Sequence, residues 1–196
     1  MPPYRPKRSE AERPPHLLWL FLGLIVLSLA QPLQGQQQKS ALSEKEVEEV
    51  RDARLVPSDC ILLFVKFLDT RTKTIQDLYA KPRRPGREED TRELLQQFTS
   101  IADELADNLD DYGPRHQDLR RVLPKVVEAT ERWSSALKSV PDGEGYNVNR
   151  KLALESVRDL RESATELLPE QIAWFKAHPP VKDEKTGRAP PIDIPR

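Results

Sequence analysis

The sequence predicts an all-α protein: an antiparallel up-down-up-down four-helix bundle with a short extra N-terminal helix. Three observations predict it. Apolar residues recur at alternating steps of four and three through four long segments, which is the spacing of one stripe along a helix. Turns of about 4–7 residues, marked by proline and glycine, separate most of these segments and favour antiparallel neighbours. No stretch of useful length alternates apolar and polar residues as a half-buried strand does.

The chain of 196 residues opens with Arg5, Lys7, Arg8 and Arg13 set against Glu10 and Glu12, a basic lead. An apolar run from Leu17 to Ala30 follows, interrupted only by Gly23 and Ser28. Ser28 and Ala30 are small residues at the two positions a signal peptidase reads, so cleavage is expected between Ala30 and Gln31. The run falls short of the roughly 20 residues that span a bilayer. Residues 1–30 are therefore read as a secretory signal peptide, with an uncleaved membrane anchor over 17–30 as the rival reading. No cysteine follows the run to take a lipid. Export to the periplasm or the medium is the expectation.

Residues 31–41 are glutamine-rich and read as a flexible polar lead-in, and 42–178 as the bundle domain. Ser43 and Glu46 have the spacing of a capping box, flanked by Leu42 and Val47 as a hydrophobic staple. That short helix should stop near Arg54, because Pro57 disfavours helix at Val56. Ser58 is the expected cap of the next helix, whose stripe is Ile61, Val65, Leu68, Thr72, Ile75 and Tyr79, ending at Lys81-Pro82. Leu94, Phe98, Ile101, Leu105, Asn108 and Tyr112 mark the following helix, closed by Gly113-Pro114.

Leu119, Val122, Val126, Ala129, Trp133, Ala136 and Val140 continue the pattern across Pro124. That proline should kink the helix near Arg120 or confine 116–123 to a separate turn. After the Pro141–Gly145 loop, Ala153, Val157, Leu160, Ala164, Leu167, Gln171 and Trp174 form the last stripe, with a bend expected at Pro169. Each long helix is expected to hold roughly 24–32 residues, about 36–48 Å. Residues 179–196 contain five prolines and no apolar periodicity, and read as a disordered tail.

The chain has 31 basic and 32 acidic residues. Removing the four basic and two acidic residues of 1–30 leaves 27 against 30, a formal net of −3. Such balance excludes the clustered basic excess of a nucleic-acid binder. Cys60 is the single cysteine, so no intrachain disulfide forms, and its neighbours Ile61, Leu62 and Leu63 place it in the core.

Catalytic and cofactor chemistry finds no ligands in this sequence. Beyond residue 30 the histidines are His116 and His178, and the residues three before them are Gly113 and Phe175, so the Glu-x-x-His pair of a di-iron bundle is absent. Cys60 stands alone, so a c-type haem attachment and a cysteine-rich zinc site are excluded. No Gly-x-Ser-x-Gly elbow or phosphate-cradling glycine loop occurs. No catalytic residue, cofactor or metal is assigned.

Asp103, Asp107 and Asp110 share helical spacing within the acidic set 103–111, and read as a solvated face paired to a neighbouring helix. Arg83, Arg84 and Arg87, and Arg115, Arg120, Arg121 and Lys125, are the basic counterparts. Ile172, Trp174 and Phe175 are the expected exposed contact surface, because they follow the Pro169 bend.

Three stretches carry a resemblance: Glu44-Lys-Glu-Val-Glu-Glu-Val-Arg-Asp-Ala, Leu63-Phe-Val-Lys-Phe-Leu-Asp-Thr-Arg and Glu104-Leu-Ala-Asp-Asn-Leu-Asp-Asp-Tyr. Over roughly 42–175 the chain resembles uncharacterised bacterial secreted or periplasmic helical proteins, which implies an exported bundle and no particular site. The expected role is protein–protein contact with an unidentified partner in the cell envelope, as scaffold, adaptor or envelope-stress factor. The other expectation is a small-ligand-binding or sensing bundle.

Overall fold

The computed structural model describes residues 41–179, and within them all regular structure is helical. The expected signal peptide with its Ala30–Gln31 cleavage point, nearly all of the lead-in and the tail from 180 onward lie outside the described residues. Five helices follow one another: α1 Glu44–Ala53, α2 Pro57–Ala80, α3 Arg87–Tyr112, α4 Leu123–Ser139 and α5 Asn147–Ala177.

The capping box at α1 forms as expected. The Ser43 amide donates to Glu46 Oε2 at 2.8 Å, and the Glu46 amide donates to Ser43 Oγ at 3.3 Å. The staple is uneven: Leu42 is buried in the core while Val47 stays 42% exposed. Ser58 does not cap α2. The helix starts two residues earlier than a Ser58 cap would place it, with Pro57 at its first position, where the missing N–H costs nothing, and Val56 is the extended residue before it.

The stripes read from the sequence are the buried faces. Ile61, Val65, Leu68, Thr72 and Ile75 of α2 are buried, and Phe64 and Phe67 widen the face because α1, α3 and α4 all pack on this helix. On α3 the buried face is Leu95, Phe98, Ile101, Leu105 and Leu109, so the expected stripe holds at Phe98, Ile101 and Leu105, while the expected Leu94, Asn108 and Tyr112 are only partly buried. Gly86 turns the chain into α3 with φ +79°, a conformation that favours glycine.

Pro124 separates rather than kinks. It sits in the first turn of α4, so 113–122 becomes a connection of its own and α4 shortens to 17 residues. Pro169 does not interrupt α5, which runs through it for 31 residues.

Helix pairing departs from simple succession. α2 packs against α1, α3 and α4, and α5 packs against α3 and α4; consecutive α3 and α4 do not lie side by side. The start of α2 lies against the end of α3 (Cys60 Sγ to Asn108 Oδ1, 4.0 Å), and its end against the start of α3 (Tyr79 Oη to Thr91 Oγ1, 3.1 Å). On α4, Trp133 is fully buried, meets Phe98 edge-on at 5.9 Å and donates its indole N–H to Asp69 of α2 at 2.6 Å. The connection between α3 and α4 supplies core residues itself, with Leu119 fully buried and Val122 at 2% exposure. A segment that buries its own side chains over the end of the core frees its two flanking helices from lying side by side.

Candidate functional site

The end of the molecule built from the α3 C-terminus, the 113–122 connection and the last turns of α5 gathers the unusual features. α3 ends at Tyr112, and Gly113 then packs directly on α5: a Cβ there would stand 3.0 Å from Leu167 Cδ1 and 3.0 Å from the Leu109 carbonyl. Here glycine serves close approach, not a positive φ. His116 takes the left-handed turn instead, at φ 53°. Further along, the Leu119 amide donates to Gln171 Oε1 at 3.2 Å, which fixes the connection to α5.

Two imidazoles enclose one indole. His116 stacks on Trp174 with ring centroids 3.5 Å apart and planes 9° from parallel. His178, just past the end of α5, stacks at 3.8 Å and 22°. Its backbone amide also donates to the Trp174 carbonyl at 2.8 Å. On the other flank of α5, the Arg120 guanidinium lies 4.2 Å from the Phe175 ring centroid and is held by Asp118 at 2.8 Å. The Arg120 partner keeps the Asp118 carboxyl below its usual range.

The expected contact trio therefore divides. Ile172 is 51% exposed, whereas Trp174 and Phe175 are half-buried, each covered by a side chain from the connection. Sequence spacing could have paired Trp174 with His178, four residues apart on one helix face. Nothing local marks His116 or Arg120 as their partners, because the chain reaches them across a long-range turn.

Beside the stack a groove of about 480 Å³ opens between α3 and α5. Leu109, Gly113 and Leu167 form its floor, and Asp110, Glu166 and Glu170 edge it. These three carboxylates have no ion-pair partner among the described residues. The nearby cations are engaged elsewhere: Arg115 with Asp111 at 2.6 Å and Arg120 with Asp118.

The acidic set of α3 does not act as one face. Asp103 accepts from Ser156 Oγ of α5 at 3.2 Å, and Asp110 also faces α5 across the groove. Asp107 and Asp111 instead line a second hollow with Arg54 and Tyr112. Glu104 has its carboxyl raised, chiefly by burial. Among the described residues no group of three histidine, cysteine or acidic side chains is placed to hold a metal ion.

Cys60 is fully buried beneath this end, and its thiol is raised above the ordinary value by that burial. Tyr112 is pushed up to about 12 by burial and then by Cys60. The basic residues at the α2–α3 turn are locally neutralised rather than balanced across helices. Arg83 pairs with Glu88 at 3.3 Å, Arg84 with Asp90, and Arg87 lies over the Tyr79 ring at 5.0 Å. Compared with protein-family models, curated proteins and solved structures, the chain matches none.

Proposed function

We propose that the chain is an exported, non-enzymatic helical-bundle protein that works by protein–protein contact in the cell envelope, with the α5 end as its contact face. Ile172 carries this reading. It is a large apolar side chain left 51% exposed beside an end that is otherwise rigidly built. Isolated exposed apolar residues are ordinary, but one next to a groove with anchored aromatic rings has the anatomy of a contact site. The helix contacts support an up-down-up-down bundle in which consecutive helices reverse direction while α3 and α5, lying side by side, run the same way. The Asp103–Ser156 bond and the Gly113–Leu167 approach support that pairing. Export rests on the 17–30 run, and N-terminal sequencing of the fractionated protein tests it: a start at Gln31 supports cleavage, and an intact Met1 in the membrane overturns it.

Replacing Ile172 by Glu tests the contact. The full chain should retain a specific envelope protein through extensive washing, and the I172E chain should lose it while keeping its helical circular dichroism. Equal retention by both chains overturns the reading. The groove between α3 and α5 favours a second reading, a small ligand held between helices. A ligand that raises the melting temperature of the full chain, in the absence of any protein partner, would replace contact with sensing.

A further inference from the structure

We infer that two copies of this chain pair by exchanging α1, each seating its first helix on the other's α2, with the turns between α1 and α2 lying against one another. This goes beyond the contact reading: the partner is a second copy, and the surface is the α1–α2 turn rather than Ile172.

α1 is the only helix among those described that packs against a single neighbour, α2. Its seat consists of contacts that an identical helix from another copy reproduces one for one. Glu46 pairs with Arg71 at 2.7 Å, Glu49 pairs with Lys66 at 3.1 Å, and Leu42 and Val50 are buried. Later residues of α1 meet earlier residues of α2, so the two helices form an antiparallel hairpin that opens at its turn. Exchanging an identical element is a low-cost route to a dimer, because the interface already exists within the chain.

The turn itself favours the exchange. It holds three residues, 54–56, between the end of α1 and the start of α2. Leu55 is 89% exposed, more than any other large apolar residue described, and Val56 beside it is 46% exposed. A lone exposed apolar residue is ordinary. Here two adjacent ones occupy the segment that a pair of exchanging chains must share. In the exchanged dimer the turn straightens and runs beside its counterpart across the twofold axis, so Leu55 and Val56 cover each other's copies. Three extended residues span about 10 Å, the spacing of two packed helices, so neither α1 nor α2 needs to unwind. Pro57 confines the opening to the turn: without an N–H it cannot carry α1 onward into α2 as one helix. Arg54, the C-cap of α1, edges a hollow with Asp107 and Asp111 of α3, and it meets the same pair on the other copy.

Mixed-isotope crosslinking of the full chain tests the exchange. Unlabelled and nitrogen-15-labelled chains are unfolded together in urea, refolded at high concentration and sized by light scattering. A zero-length carbodiimide then joins Lys66 to Glu49, whose charged atoms lie 3.1 Å apart. In the dimer fraction about half of the Lys66–Glu49 peptides should join a labelled to an unlabelled chain, the share that random exchange gives. The Leu55→Asn/Val56→Asn variant changes only exposed side chains. It should keep its helical circular dichroism and dimerise about tenfold more weakly. A short glycine insert after Arg54 lets α1 fold back on its own α2 more readily and should shift the chain toward monomer.

A chain that stays monomeric at millimolar concentration overturns the inference. So does a dimer whose Lys66–Glu49 peptides are all of one label, since its copies touch without exchanging. Both outcomes leave the Ile172 reading standing, because that reading concerns a different protein.

Discussion

Arg71 divides its guanidinium among three parts of the chain: Glu46 at 2.7 and 2.8 Å, the Ala41 carbonyl at 2.8 Å and Gln97 at 3.0 Å. With side-chain exposures of 11% and 15%, the Arg71–Glu46 pair is shielded enough to matter, and Glu46 falls to about 2, first because of its bond to Arg71. A carboxylate lowered in the folded state stabilises the fold above its unfolded value of about 4.5 and loses that contribution as pH falls toward 2. Glu46→Gln should therefore cost about 2 kcal/mol at pH 7 and flatten the acid limb of the stability curve between those values. Urea titrations at stepped pH check both effects, and an unchanged acid limb would contradict them. Cys60 gives the second residue-scale expectation. Buried and raised, it should resist Ellman's reagent in the native chain and react only at the unfolding rate. Rapid native labelling would contradict its placement. Its burial was legible in the run Ile61-Leu62-Leu63, whereas the Arg71 fork was not, since charged residues at helical spacing look alike whether they face water or other parts of the chain.

At the scale of elements, apolar spacing recovered the buried stripe of α4, most of those of α2 and α5 and the middle of that of α3, because packing on one side selects residues with the helix period. Prolines were harder to place. Pro57 and Pro124 both sit in first turns, where proline is tolerated, so each opened a helix, while Pro169 was absorbed within α5. Spacing alone does not tell a first-turn proline from an interior one. Gly113 is the element-scale test. Gly113→Ala puts a methyl 3.0 Å from Leu167 and from the Leu109 carbonyl, and should cost about 1–2 kcal/mol by prying the connection off α5. Limited proteolysis should then cut within 113–122 before any other described segment. Unaltered stability with unaltered cleavage would refute that role for the glycine.

For the molecule as a whole, all-helical architecture was legible from periodicity and turn chemistry, but the order in which helices pack was not. Short connections suggest that consecutive helices are neighbours. The 113–122 segment escapes that rule by burying Leu119 and Val122 itself, which lets α5 rather than α4 lie against α3. That choice creates the groove, so the candidate site follows from a long-range pairing that no local pattern encodes. Ile172, Trp174 and Phe175 were singled out because they follow Pro169, yet their division into one exposed residue and two covered rings needed His116 and Arg120 in space. If the α5 end is the contact face, a photo-crosslinking residue at Ile172 should capture one envelope protein, while the same residue at the 69% exposed Val148 near the α5 start should not. Capture from Val148 alone, or equally from both positions, would contradict the account.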